Sequence, residues 1–104
     1  MKILALEREL PGVNAQQFQQ YAREEAHKVW LLYQAGLIRE LYFCAGKDMA
    51  VLVLECASTD EAQVILADLP FVRQGLIAFD LIPLRAYPGF ERLFGVEDTP
   101  KAMR

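Results

Sequence analysis

Histidine is almost absent from this chain: His27 is the single one in 104 residues, and Cys44 and Cys56 are its two cysteines. One imidazole and no ligand-spaced cluster exclude a protein-built metal site, and nothing in the residues calls for a cofactor. The two cysteines fall near opposite ends of one candidate hairpin. If its turn is centred near Gly46–Lys47, Cys44 lies beside the turn and Cys56 about seven residues from it, too far for a disulfide at roughly 3.3 Å per residue. Both are expected as free thiols, which suits a reducing compartment. Charge of one sign is also lacking. Lysine and arginine total 11 against 14 aspartates and glutamates, a formal net charge of −3. No block of like charge and no basic patch offers a surface to nucleic acid. Apolar runs are too short to cross a bilayer, and no charged start precedes an apolar stretch. The expected address is cytoplasmic, without membrane contact.

What the chain does have is apolar residues, 54% of the total, a high share for one small domain. Their patterning predicts strand, helix, strand, strand, helix, strand. Lys2–Arg8 is the first strand, and Pro11–Gly12 turns the chain. Asn14 with Gln17 three residues later makes a capping pair for a first helix, which runs to about Ala35 and stops at Gly36. Ile38–Cys44 and Met49–Cys56 form a hairpin about the turn Ala45–Asp48. Ser58-Thr59-Asp60-Glu61 is a capping box for a second helix, with Ala62, Ile65, Leu66 and Leu69 at helical spacing and Pro70 as its stop. A fourth strand, Ile77–Leu84, begins after Gly75. Right-handed crossovers between the halves give an α+β, ferredoxin-like βαββαβ domain: a four-stranded antiparallel sheet with two helices on one face. Residues 1–94 form this single domain, with a C-terminal extension from about 85, and 95–104 read as a flexible tail.

Met49–Cys56 and Ile77–Leu84 carry apolar residues at odd and even positions alike. Side chains alternate between the faces of a sheet, so both faces are expected to be dry. Two helices cover one face. The other is expected to meet a second copy, giving a homodimer or a larger homo-oligomer. In Tyr87–Phe94, Phe90, Leu93 and Phe94 stand at helical spacing, either as a cap on the chain's own core or as a contact with a neighbouring subunit.

The chemical clue is in the first helix. At about 100° per residue, Phe18, Ala22, Val29 and Leu32 share one face, with Tyr21 and Tyr33 at its margins, and Glu25 lands in the middle of it. A carboxylate aimed at an apolar core loses hydration, which disfavours its charged form and suits a general acid or base near neutral pH. The alternative is an ion pair with Arg39 or Arg8, or a path to water between helix and strand. His27 falls on the polar side of the helix and reads as solvated. Asp80 and Glu55 interrupt apolar strands and read as edge or interface charges. Trp30, at the edge of the stripe, reads first as core. Arg39 and Tyr42 point to opposite faces of the second strand, so one of them shares the helix's pocket; a slip of one residue decides which.

Glu25, Leu32, Gly36, Arg39, Leu41 and Tyr42, followed by Leu69-Pro70-Phe71 and Pro88, resemble the muconolactone delta-isomerases over most of the chain, from about Leu10 to Pro88. The ending GLIAFDLIPLRAYPGFERLF is similar to that of relatives of the family other than the working isomerases. The resemblance implies a ferredoxin-like fold assembled through its sheets into a dimeric α+β barrel, and a reaction that shifts a C=C bond in an unsaturated lactone. Carried over, Glu25 would be the acid/base, and Arg39 would orient a substrate carboxylate or steady an enolate. Trp30, Tyr42 and Phe18 are the candidate substrate contacts. Where the isomerases resemble Arg-His-Leu-Trp-Arg, this chain reads Arg39-Glu40-Leu41-Tyr42-Phe43, with one imidazole and one guanidinium fewer. The function expected is that of a small oligomeric protein binding an organic acid, lactone or aromatic metabolite, with proton-transfer isomerisation by Glu25. The alternatives are a cofactor-free monooxygenase of the dimeric α+β barrel type and a non-catalytic ligand-binding or assembly module.

Overall fold

The computed structural model describes Met1–Gly95; the tail expected beyond lies outside the described residues. Strand β1 (Lys2–Glu9) leads to helix α1 (Ala15–Gln34) and the hairpin β2 (Ile38–Phe43) and β3 (Ala50–Glu55). Helix α2 (Thr59–Ala67), the single turn α3 (Pro70–Arg73), strand β4 (Ile77–Leu84) and a 3-10 helix (Gly89–Phe94) complete the described chain. The strands form one antiparallel sheet in the order β2-β3-β1-β4. This is the ferredoxin-like arrangement expected.

Local chemistry sets the helix ends. The Asn14 side chain accepts from the Gln17 N–H, and the Gln17 side chain accepts from the Asn14 N–H, closing the capping box on α1. Gly36 ends that helix at φ +80°, a conformation costly for any residue with a Cβ. Ser58 caps α2 through the Glu61 N–H, while the Glu61 carboxylate reaches past it to the Ala57 N–H. Pro70 acts differently from the expectation. Helix α2 has already ended at Ala67, and Pro70 opens α3 as its first residue. Its ring presets φ there, and its missing N–H is one the first turn leaves unpaired anyway.

The core lies between the helices and one sheet face. Ile3, Ala5, Leu52, Leu54 and Ile38 supply its sheet side, and Ala62, Leu66 and Leu69 close it from above. Cys44 and Cys56 are both free, as expected, and burial pushes the Cys56 thiol up from its ordinary value.

The opposite sheet face carries Leu4, Leu6, Val51, Val53, Ile82 and Leu84, as the register requires. Leu4, Leu6, Val51 and Val53 are half-buried; Ile82 and Leu84 are exposed. No described element covers this face. Charged residues that read as edge groups are paired at its margins: Glu55 with the N-terminal ammonium at 2.7 Å, and Asp80 with Arg8 at 3.4 Å. The C-terminal extension leaves its own core alone. Phe90, Leu93 and Phe94 are 65–79% exposed, and Tyr87 meets Phe90 edge to face. The reading of this segment as a cap on the chain's own core is therefore corrected.

Candidate active site

Helix α1 has an apolar stripe yet contains no buried residue. Phe18, Tyr21, Glu25, Val29 and Leu32 are each half-buried, so the helix stands off the sheet instead of resting on it. The small side chains Ala22 and Ala26, one turn apart, leave space beneath. The result is a cavity of about 630 Å³ between α1, α3 and the sheet. Ala22, Glu25, Ala26, Val29, Trp30 and Tyr33 form its α1 wall, Leu41, Phe43, Ala50, Leu52, Glu7 and Phe79 its floor, and Leu69 and Phe71 its far end. The wall spacing i, i+3, i+4, i+7, i+8, i+11 is one helical face.

Glu25 sits in that wall, as its place in the stripe predicts. It pairs with neither Arg39 nor Arg8. Its Oε1 accepts the Phe71 N–H at 2.9 Å. The reason is local: the N-cap of α3 is Leu69, whose side chain has no oxygen, and Pro70 at the next position has no N–H. The first free donor of that turn therefore takes its acceptor from α1. Loss of water pushes the Glu25 carboxyl above its ordinary value; the Phe71 N–H works against this, the charge of Glu7 adds to it, and Arg73 opposes it.

Glu7 is the functional group that the sequence reading missed. In β1 the buried residues Ile3 and Ala5 point to the helices, and Glu7 is the next member of that row. The pairing of β1 with β3 ends at Leu6–Val51, and the Glu7 Oε1 continues it by accepting the Ala50 N–H at 3.2 Å. Burial raises its carboxyl as well, the Ala50 N–H lowers it, and Glu9 and Asp48 raise it further. The signal was present in the alternation of Ile3-Leu-Ala5-Leu-Glu7, legible once the inward row of β1 is known.

The remaining candidates divide. Trp30 lines the cavity at its mouth, 53% exposed and stacked on Tyr33 with ring centres 6.1 Å apart; the reading of Trp30 as core is corrected. Phe18 packs edge to face on Phe71 at 5.1 Å and borders the neighbouring hollow with Glu7 and Phe43. Strand β2 carries a bulge between Ile38 and Glu40, with Arg39 as its extra residue. The bulge reverses the alternation, so Leu41 and Phe43 join Ile38 on the helix side. Tyr42 pairs with Val51 and turns to the other face, where its hydroxyl donates to Glu40 at 2.9 Å; it touches the cavity at the edge strand alone. Arg39 does not line the cavity. Its Nε donates to the Gly36 carbonyl at 2.6 Å, which holds the guanidinium at the end of α1. The structure thus brings Glu25 and Trp30 together and leaves Arg39 apart. His27 is exposed, as expected. Among the described residues no group of side chains could hold a metal ion, and no helix is long and apolar enough to cross a membrane.

No protein-family model and no curated protein matches the chain. Solved structures do. Muconolactone isomerase superposes with a TM-score of 0.70 at 20% identity, over 85% of this chain and 92% of that one. The 5-chloro-2-hydroxyhydroquinone dehydrochlorinase TftG from Burkholderia phenoliruptrix, in complex with 2,5-dihydroxybenzoquinone, superposes with a TM-score of 0.58 at 21% identity, over 82% of this chain and 94% of that one. The chain accordingly has the fold of muconolactone isomerase over most of the length of both.

Proposed function

We propose that this protein binds a small lactone or aromatic metabolite in the cavity beneath α1, and that Glu25 moves a proton on it to shift a C=C bond. The observation that carries the reading is the Glu25 carboxyl, half-buried in the wall of an apolar space of about 630 Å³ and held above its ordinary proton affinity. In the proposed step the ionised carboxyl takes a proton from a carbon beside a carbonyl group. The electron pair moves through the conjugated system to the carbonyl oxygen as an enolate, and the carboxylic acid returns the proton at the far carbon. No redox partner is needed. An apolar wall of Val29, Leu52 and Phe79 strengthens the electrostatic part of this chemistry.

The similarity to an isomerase and a dehydrochlorinase, both acting on small molecules by name, supports a metabolite-sized ligand. The dehydrochlorinase holds 2,5-dihydroxybenzoquinone, and a single ring of that size suits the cavity volume. Arg39, bonded to Gly36, is assigned no step here. The protein is further proposed to act in the cytoplasm as a homodimer or larger homo-oligomer, paired through the uncovered sheet face.

The test is a comparison of Glu25→Gln with the parent chain on unsaturated lactones. Glutamine keeps an acceptor for the Phe71 N–H, so folding and ligand affinity should stay within about twofold. Turnover should fall by about 10²-fold or more, the usual contribution of a positioned acid/base. Undiminished turnover in the variant removes Glu25 from the chemistry. Oxygen uptake during turnover would instead favour the oxygenase alternative.

A further inference from the structure

We propose that Glu7 is the specificity-determining residue of this cavity: it makes the cavity reject anionic ligands and accept uncharged rings that bear a hydroxyl or carbonyl oxygen. The inference rests on the reading of the cavity as a ligand site and narrows the ligand class.

Glu7 rises from the sheet floor on β1, and Glu25 comes from the α1 wall, so two carboxyls serve one space. Among the described residues, Tyr33 and Tyr42 are the other titratable residues that line it, and no lysine, arginine or histidine does. The charges nearby do not reverse the balance. Arg73 of α3 acts on Glu25 from outside the lining, while Glu9 of β1 and Asp48 of the β2–β3 turn add negative charge around Glu7. Strand β4 contributes Phe79 to the lining, and β3 contributes Ala50 and Leu52, none of which is charged. A carboxylate ligand would thus be placed among like charges, with apolar walls giving little screening and no cation to receive it.

An uncharged ring meets a different surface. Each carboxyl engages a backbone N–H through Oε1 alone among the described residues, Glu7 with Ala50 and Glu25 with Phe71. The second oxygen of each accepts from a ligand hydroxyl when ionised, or donates to a ligand carbonyl when protonated. The aromatic side chains Trp30, Phe71 and Phe79 in the lining suit a flat ring.

The experiment titrates the full chain and its Glu7→Gln variant with two near-isosteric probes, 4-hydroxybenzyl alcohol and 4-hydroxybenzoate, at about pH 7.5. The parent chain should prefer the alcohol by about tenfold or more, and Glu7→Gln, with Glu25 still in place, should cut that preference by about threefold or more. Glutamine still accepts from Ala50, so the strand edge is kept. A second measurement uses the parent chain alone: its preference should shrink as pH falls, because both cavity carboxyls are held above their ordinary value and lose charge before the probe does. Equal binding of both probes by the parent, or a ratio unchanged in Glu7→Gln, overturns the proposal while leaving the cavity a ligand site. Binding of neither probe speaks against the ligand-site reading itself. Glu7 is then judged without ligand, by carbon-13 NMR titration of the Glu25 carboxyl. It should move to lower pH in Glu7→Gln, and an unmoved titration overturns the role.

Discussion

Glu25 joins two functions that usually compete. It completes the first turn of α3, and it presents a carboxyl to an apolar cavity. The two are separable by substitution. Glu25→Ala should lower stability by about 1 kcal/mol, the usual effect of a lost N-cap, whereas Glu25→Gln should retain most of it. Urea unfolding of both variants decides the matter, and equal losses would show that the cap contributes nothing. The proton affinities of Glu7 and Glu25 also have a stability consequence. Both are held above the ordinary value of 4.5, chiefly by burial, so the folded state favours their protonated forms. That contribution is complete below pH 4.5 and is lost as pH rises through the raised values. A Glu7→Gln, Glu25→Gln double variant should therefore gain on the parent in melting temperature as pH climbs above 4.5, then level off once both carboxyls of the parent are ionised. A difference that does not change with pH would contradict this. The exposed pairs run the other way: Glu55, held low by the N-terminal ammonium, and Asp68, held low by Lys28, favour the fold above their ordinary values. The parent and the double variant share those pairs, so the comparison is unaffected.

Between elements, the end of α1 controls what β2 shows to the cavity. Gly36 turns the chain at φ +80°, its carbonyl holds Arg39, and the bulge at Arg39 then sends Leu41 and Phe43 inward. A Cβ at Gly36 would meet the Arg39 guanidinium at 3.8 and 3.9 Å, which is ordinary contact, so the effect of substitution lies in the backbone. Gly36→Ala should destabilise by about 1 kcal/mol, read from the denaturant midpoint with the slope unchanged. No loss would mean that the turn relaxes to another conformation. Helices α1 and α2 are linked by Lys28 and Asp68 at 2.6 Å, but both are well exposed, and such pairs contribute little. Packing of Phe18 on Phe71 is the firmer tie between α1 and α3.

For the molecule as a whole, the uncovered sheet face and the exposed C-terminal aromatics are surfaces that water solvates poorly. Val53 lies on that face, between Leu4 of β1 and Glu40 of β2. We expect the parent chain to sediment as a dimer or larger species at micromolar concentration. Val53→Lys should sediment as the monomer while keeping its circular dichroism. A parent chain that is monomeric throughout would remove the assembly reading.

The strands, the helix caps and the inward aim of Glu25 were legible along the chain because each depends on neighbours within a few residues. Short apolar runs bounded by turn residues mark the strands, Asn14 and Ser58 mark the first turns, and a stripe at helical spacing marks the face that holds Glu25. Other features arise from distances across the fold. The cavity exists because α1 stands off the sheet over Ala22 and Ala26, a gap that no spacing rule contains. The face shown by Tyr42 turns on one bulged residue, and periodicity alone cannot locate a bulge. Glu7 and Glu25 share one cavity because the crossover from β1 to the parallel strand β2 lays α1 over the sheet, and a pair of charges so far apart in sequence has no local signature. Local propensity therefore wrote the elements, while packing of α1 against the sheet made the space between them and chose the two acids that face it.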